Sequence, residues 1–122
     1  HNNEKIMLDG AHAEIDAKNL STYLKSLKVP VYGVWAMMKN KEPNLFIKQF
    51  KHIFKKVIAI PIENENGSMT ANDLYRIATK NKLNVEKANN FNEAIKKISS
   101  KEKKLIVCFG SLYSVGSILN RN

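Results

Sequence analysis

The sequence LIVCFGSLYSVG, residues 105–116, indicates the fold class because the patterns of a strand, a break and a helix follow one another within it. Its first five residues are all apolar, which is typical of a strand buried on both faces of a sheet. Gly110 and Ser111 interrupt the apolar run, and Leu112 and Val115 then recur at helical spacing. The stretch therefore predicts a strand that leads through a short loop into a helix.

The rest of the chain repeats this alternation of short apolar runs and longer amphipathic stretches. Such alternation is typical of βα units around a mostly parallel sheet. It predicts an α/β fold, a Rossmann-like three-layer αβα arrangement with about five or six strands. No linker, repeat or low-complexity tract divides residues 1–122, so we expect one domain. The other predicted strands are residues 5–8, 31–36, 57–62 and a weak one near Val85; the other predicted helices are residues 13–27, 43–53, 70–78 and 90–98.

Local signals refine this prediction. Thr70 and Asn90 are each followed three residues later by an acid, the pattern of a helix cap. Residues 63–68 combine acids, Asn and a Gly, and they predict an exposed loop. Trp35 and Met37 are expected to pack in the core.

The net charge of +9 is the property most open to misinterpretation. It could indicate a nucleic-acid footprint, but the 20 basic residues include 18 Lys and only 2 Arg, whereas base and phosphate recognition favours the bidentate guanidinium. Lys, Asn and Ile together supply 45 of the 122 residues, as in an A/T-rich coding sequence. We therefore expect a solvated lysine surface and no nucleic-acid partner.

The single cysteine and the short apolar runs limit which class of protein this chain can be. The single Cys108 excludes an internal disulfide and lies inside an apolar strand, so we expect a core residue. An apolar run such as residues 34–38 is far shorter than the roughly 20 residues of a membrane span. We expect no membrane association and a cytoplasmic location.

Two loops carry residues suited to binding chemistry, because ligands bind where parallel strands end and helices begin. Asp9, Gly10 and His12 follow the first strand, and Gly110 and Ser111 follow the last. Free N–H groups at such helix starts suit an anion, and a carboxylate such as Asp9 suits a hydroxyl. Each loop could equally be an ordinary helix cap. We expect both loops at the same edge of the sheet, with Lys39 and Lys41 after the second strand at that edge as further anion contacts.

Three segments together resemble the C-terminal domain of folylpolyglutamate synthase / dihydrofolate synthase, in the Mur ligase superfamily. They are the strand and Asp-Gly-Ala-His of residues 6–12, GVWAMMKNK of residues 33–41, and FGSLYSVG of residues 109–116. The similarity spans essentially all of the chain in order. Ala13 and Glu14 stand where the family usually has Asn and Pro.

The resemblance implies an ATP-dependent ligase that adds L-glutamate to a folate or dihydropteroate carboxylate through an acyl phosphate. By analogy Asp9 contacts ATP, whereas His12 and Ser111 bind glutamate. Gly10, Lys39, Lys41, Gly110 and Tyr113 would support the site. The sequence contains neither G-x-x-x-x-G-K-[ST] nor G-x-G-x-x-G.

We therefore expect ATP and Mg²⁺ to be bound mainly by an N-terminal ATPase domain outside this chain, and the isolated domain to be inactive. We expect no metal ligands in the chain itself. The alternative is a standalone basic α/β module that binds RNA or an acidic partner.

Overall fold

The structure, a computed structural model, describes residues 4–10 and 13–110. Its described strands form one parallel five-stranded sheet in the order β1-β5-β2-β3-β4. The last strand thus lies between the first and the second, which places the ends of β1 and β5 side by side. The strands are β1 Glu4–Asp9, β2 Val31–Ala36, β3 Lys56–Ala59, β4 Val85–Lys87 and β5 Lys104–Gly110.

Helices cover both faces of the sheet, so the predicted three-layer α/β fold is confirmed. The first three pack on one face, where Ala17, Phe46 and Leu74 contribute to a core with Val107. The fourth packs on the other face, where Ala94 joins a second core with Ile106 and Cys108. The helices are α1 Glu14–Lys25, α2 Pro43–Ile47, α3 Ala71–Lys80 and α4 Phe91–Ile98, with 3₁₀ turns at Lys39–Lys41 and Lys48–Phe50.

Both predicted caps are confirmed. The Thr70 hydroxyl accepts a hydrogen bond from the Asp73 backbone N–H at 3.0 Å, and the Asn90 side chain accepts one from the Glu93 N–H at 2.9 Å. Each bond satisfies a donor that has no partner inside its helix, which fixes where α3 and α4 begin.

Three of the predicted helices and strands extend further along the chain than those in the structure. The first helix ends at Lys25 rather than at residue 27, and β3 ends at Ala59 rather than at residue 62. The predicted helix over residues 43–53 is α2 followed by a 3₁₀ turn that ends at Phe50. Apolar spacing continues past these ends because the loop residues also pack on the core. The predicted helix after Ser111 lies outside the described residues.

An aromatic cluster fills the core beneath α2. The Phe109 ring lies 5.0 Å from the rings of both Phe50 and Phe54 and 6.4 Å from Trp35, centroid to centroid. Gly33 makes room for it, since a Cβ there would lie 2.8 Å from the Phe109 ring. Trp35 and the neighbouring Met37 are fully buried, as expected.

Lys104 is buried at the start of β5, which no pattern in the sequence indicates. Its ammonium donates to the Ile98 carbonyl and to the Ser100 hydroxyl, and it lies 3.4 Å from a Glu4 carboxylate oxygen. It also lies over the Tyr32 ring, 4.7 Å from the centroid. These contacts offset the cost of burying the charge and tie β1 to the end of α4.

Candidate functional site at the carboxyl edge

The candidate site lies where the parallel strands end, which we call the carboxyl edge. Strands β1 and β5 pair so that Asp9 lies opposite Phe109, and β2 and β5 pair so that Ala36 lies opposite Gly110. The chain therefore leaves all three strands at one level. This confirms that β1 and β5 end at the same edge of the sheet, with the end of β2 on the other side of β5.

The backbone conformation at position 110, at this edge, requires a glycine. Its φ is +111°, a conformation that side chains rarely adopt. A Cβ at this position would lie 1.9 Å from the Ala36 carbonyl oxygen. The glycine thus allows the end of β5 to lie in direct contact with β2. The candidates His12, Ser111 and Tyr113 lie outside the described residues.

A cavity of about 480 Å³ opens between β1 and α1 beside Asp9. Its polar lining consists of the side chains of Asp9, Asp16, Asn19 and Tyr23, and it has no cationic side chain among the described residues. Carboxylates repel phosphate groups but accept hydrogen bonds from hydroxyl and ammonium groups. The cavity can therefore take a sugar or an amine and is unsuited to an anion.

The loop after β2 brings positive charge to the same edge. Lys39 is exposed and Lys41 is half-buried in the 3₁₀ turn that precedes α2. The Lys39 backbone N–H donates to the Gly67 carbonyl at 2.8 Å, and the Met69 N–H donates to the Met37 carbonyl at 2.9 Å. Residues 67–69 therefore hold the lysine loop in place.

Residues 67–69, which we call the clamp, include Ser68, a residue that no pattern in the sequence singles out. Its hydroxyl accepts from the Ile62 N–H and donates to the Met69 carbonyl, both at 2.9 Å. It also pairs with Met38 in an isolated antiparallel bridge. The predicted exposed loop is thus exposed at residues 63–64 and 66 but half-buried at its end. A serine after a Gly is too common a turn residue to have signalled this role.

The two departures from the family pattern lie at the start of α1. Ala13 is the cap residue and offers no side-chain bond, as the loss of an Asn implies. The Glu14 carboxylate accepts from the Gln49 side chain at 3.4 Å and lies 3.9 Å from the Lys18 ammonium. Glu14 therefore contacts one residue of the Lys48–Phe50 turn and one residue of its own helix.

Outside this edge, the described residues bear on three further questions: whether they include a reactive cysteine, a metal site or a membrane-spanning helix. Cys108 is buried, as expected, and burial raises the pKa of its thiol to about 12, so it stays protonated at neutral pH. Residues 4–10 and 13–110 contain no group of three or more His, Cys, Asp or Glu that could hold a metal ion. Within the same ranges no helix is long and apolar enough to cross a bilayer.

Comparison with solved structures supports the fold. The E. coli FolC in complex with ADP is 20% identical with a TM-score of 0.82, and the match covers 94% of this chain and 28% of that one. The Thermotoga maritima folylpolyglutamate synthase is 27% identical with a TM-score of 0.77, covering 94% and 27%. The Yersinia pestis bifunctional folylpolyglutamate synthase/dihydrofolate synthase, complexed with AMPPNP and Mn, is 15% identical with a TM-score of 0.79, covering 94% and 28%.

The chain thus spans less than a third of the length of these proteins. A comparison with curated protein sequences gives no match. The family model described as "Dihydrofolate synthetase, C-terminal domain" matches residues 1–121. Since that match covers nearly the whole sequence, the chain belongs to the family of dihydrofolate synthetase C-terminal domains.

Proposed function

We propose that residues 1–122 form the single C-terminal domain of an ATP-dependent ligase, whose ATPase domain lies outside this chain. The ligase would join L-glutamate to the carboxylate of a folate or dihydropteroate. The observation that carries this proposal is the register of β1 against β5, by which Asp9 and Gly110 end neighbouring strands at the carboxyl edge. Open parallel sheets bind their ligands at this edge.

Asp9 is proposed to bind the nucleotide sugar. Its carboxylate lines a cavity with two acids and no cation among the described residues, so ribose hydroxyls fit there better than phosphates do. ATP, when bound, supplies the phosphoryl group that activates the acceptor carboxylate as an acyl phosphate. The part of this chain is to hold the sugar end of the nucleotide so that its phosphates face the other domain.

The glutamate is proposed to lie between the loops. His12 and Ser111 would bind it, supported by the backbone at Gly10 and Gly110 and by Tyr113. Lys39 and Lys41, held by residues 67–69, carry positive charge at the same edge and can attract its carboxylates. Fixing the glutamate amine relative to the activated carboxylate makes the attack effectively intramolecular, which is how such a domain accelerates the reaction.

Mg²⁺ is proposed to be bound by the ATPase domain. The described residues of this chain provide no cluster of three metal ligands, and the acids at Asp9 and Asp16 lie in a cavity suited to a sugar. We expect the isolated chain to be inactive for the same reason.

Steady-state kinetics of the ligase that contains this chain test the proposal. Asp9→Ala should raise the KM for ATP about tenfold or more, since a hydrogen bond to a charged group contributes about 1.5–3 kcal/mol. Ser111→Ala should raise the KM for glutamate and leave that for ATP unchanged. Asp73→Ala and Ser26→Ala, exposed positions elsewhere, serve as matched controls. Failure to couple glutamate to any pteroate or folate would refute the proposal.

A further inference from the structure

A second charged feature lies away from the carboxyl edge. Four lysines line one groove of about 370 Å³ between the Lys48–Phe50 turn and the end of α3. These segments lead back into β3 and β4 at the amino ends of the strands, so the groove lies toward the opposite edge from Asp9. We call it the lysine groove; it is lined by Lys48, Gln49, Lys51, Lys80, Asn81 and Lys82.

The lysines of this groove are not neutralised within the described part of the chain. None of the four has a carboxylate oxygen within 4.0 Å there, whereas six other basic residues do. All four side chains are exposed, while Gln49 and Asn81 form a half-buried floor between them. Like charges gathered in one concave surface repel each other and focus the field outward. The groove is therefore a place where an anion would relieve an unfavourable charge distribution.

The backbone adds a second unfavourable feature at the same place. Lys82 has a φ of +66°, in the left-handed region that favours Gly or Asn. A lysine here combines backbone strain with charge repulsion, and stability alone would favour a smaller neutral residue. Positions at which local preferences conflict in this way are expected at functional sites.

The chemistry of the lining favours carboxylates over nucleic acid. The groove contains ammonium groups and two carboxamides but neither Arg nor an aromatic ring. Single-stranded nucleic acid is bound by stacking on aromatic rings and by guanidinium groups. Ammonium groups act as point charges that suit separately spaced carboxylates. We propose that the lysine groove binds an acidic segment of a partner protein, a function independent of the ligase site.

Fluorescence anisotropy tests this on the full chain, with an end-blocked, labelled hexaglutamate peptide as the probe. A variant with Lys48, Lys51, Lys80 and Lys82 changed to Gln should bind the peptide about tenfold more weakly, and the binding of the wild type should weaken as salt rises. The control variant K5Q/K28Q/K96Q/K103Q has the same net charge and keeps the groove. It should bind within twofold of the wild type.

Three results would overturn the proposal. The wild type could fail to bind the peptide at low salt, or both variants could lose affinity equally, which would indicate a general charge effect. A labelled oligonucleotide could also bind the groove more tightly than the peptide does, which would assign the groove to nucleic acid. Circular dichroism of both variants confirms that the comparison is made between folded proteins. None of these results depends on ligase activity, so the two proposals can fail separately.

Discussion

Replacing Gly110 with Ala tests the most constrained point of the carboxyl edge. The added Cβ would lie 1.9 Å from the Ala36 carbonyl oxygen, a backbone atom that cannot rotate away. The φ of +111° adds strain of about 1–2 kcal/mol for any residue with a Cβ. Forcing β5 away from β2 adds about 1–3 kcal/mol, as for other overpacked cores. We expect the free energy of unfolding to fall by about 3 kcal/mol.

Urea unfolding followed by the fluorescence of the buried Trp35 measures this loss. With a denaturant slope of about 1–3 kcal/mol/M, the midpoint should fall by about 1–3 M. Gly67→Ala is the matched control, because its Cβ would meet only the flexible end of Met38, at 2.7 Å. That variant should lose less than about 1 kcal/mol. If Gly110→Ala were as stable as Gly67→Ala, the close contact between β5 and β2 would be refuted.

Three further predictions concern the rest of the molecule. Ser68→Ala should lower the free energy of unfolding by about 1–3 kcal/mol in urea titrations, because it leaves the Ile62 N–H without its partner; an unchanged midpoint would contradict the clamp. Cys108 should react with a thiol reagent at pH 8 only when the chain is unfolded, since burial raises its pKa to about 12; prompt labelling of the native chain would contradict its burial. Glu4→Gln should destabilise the chain by about 3 kcal/mol at pH 7, because it leaves the buried Lys104 charge without its counter-ion.

The Glu4 prediction has a defined pH dependence. Burial raises the pKa of this carboxyl, but hydrogen bonds from Ser100 and Ser99 and the charge of Lys104 outweigh it and hold the pKa below the ordinary value of 4.5. A carboxyl with a lowered folded pKa stabilises the fold above its unfolded pKa, and this contribution is lost as the pH falls through the folded pKa. The difference between wild type and Glu4→Gln should therefore shrink below about pH 4.5. A constant difference down to pH 2 would show that the pair does not titrate as described.

Much of the fold could be predicted because most strands are marked by their own apolar run, whereas β4 is only weakly marked, by Val85. The run at residues 105–109 and the caps at Thr70 and Asn90 are local signals, and the structure places strands and helices accordingly. The order of the strands is not local. That β5 inserts between β1 and β2 depends on packing across the whole sheet, and no short segment carries that information.

The candidate site was predictable in its position and only partly in its residues. Asp9 and Gly110 stand out because polar and glycine residues follow apolar strands directly. Ser68 and Lys104 do not, since a serine in a turn and a lysine at a strand start usually face water. The Lys104–Glu4 contact joins the two ends of the described chain, whereas the Ser68–Ile62 contact spans only six residues but depends on how that loop folds back. Only the folded chain shows that the serine is half-buried and the lysine buried.

We propose that the loops after β1 and β5 form one site for nucleotide and glutamate. Nuclear magnetic resonance of the isotope-labelled chain, titrated with ADP and L-glutamate together, tests it most directly. We expect the amide signals of Asp9, His12 and Ser111 to shift together and saturate, while those of the lysine groove do not move. Shifts absent from these three amides, with glutamate and ADP at saturating concentrations, would contradict it.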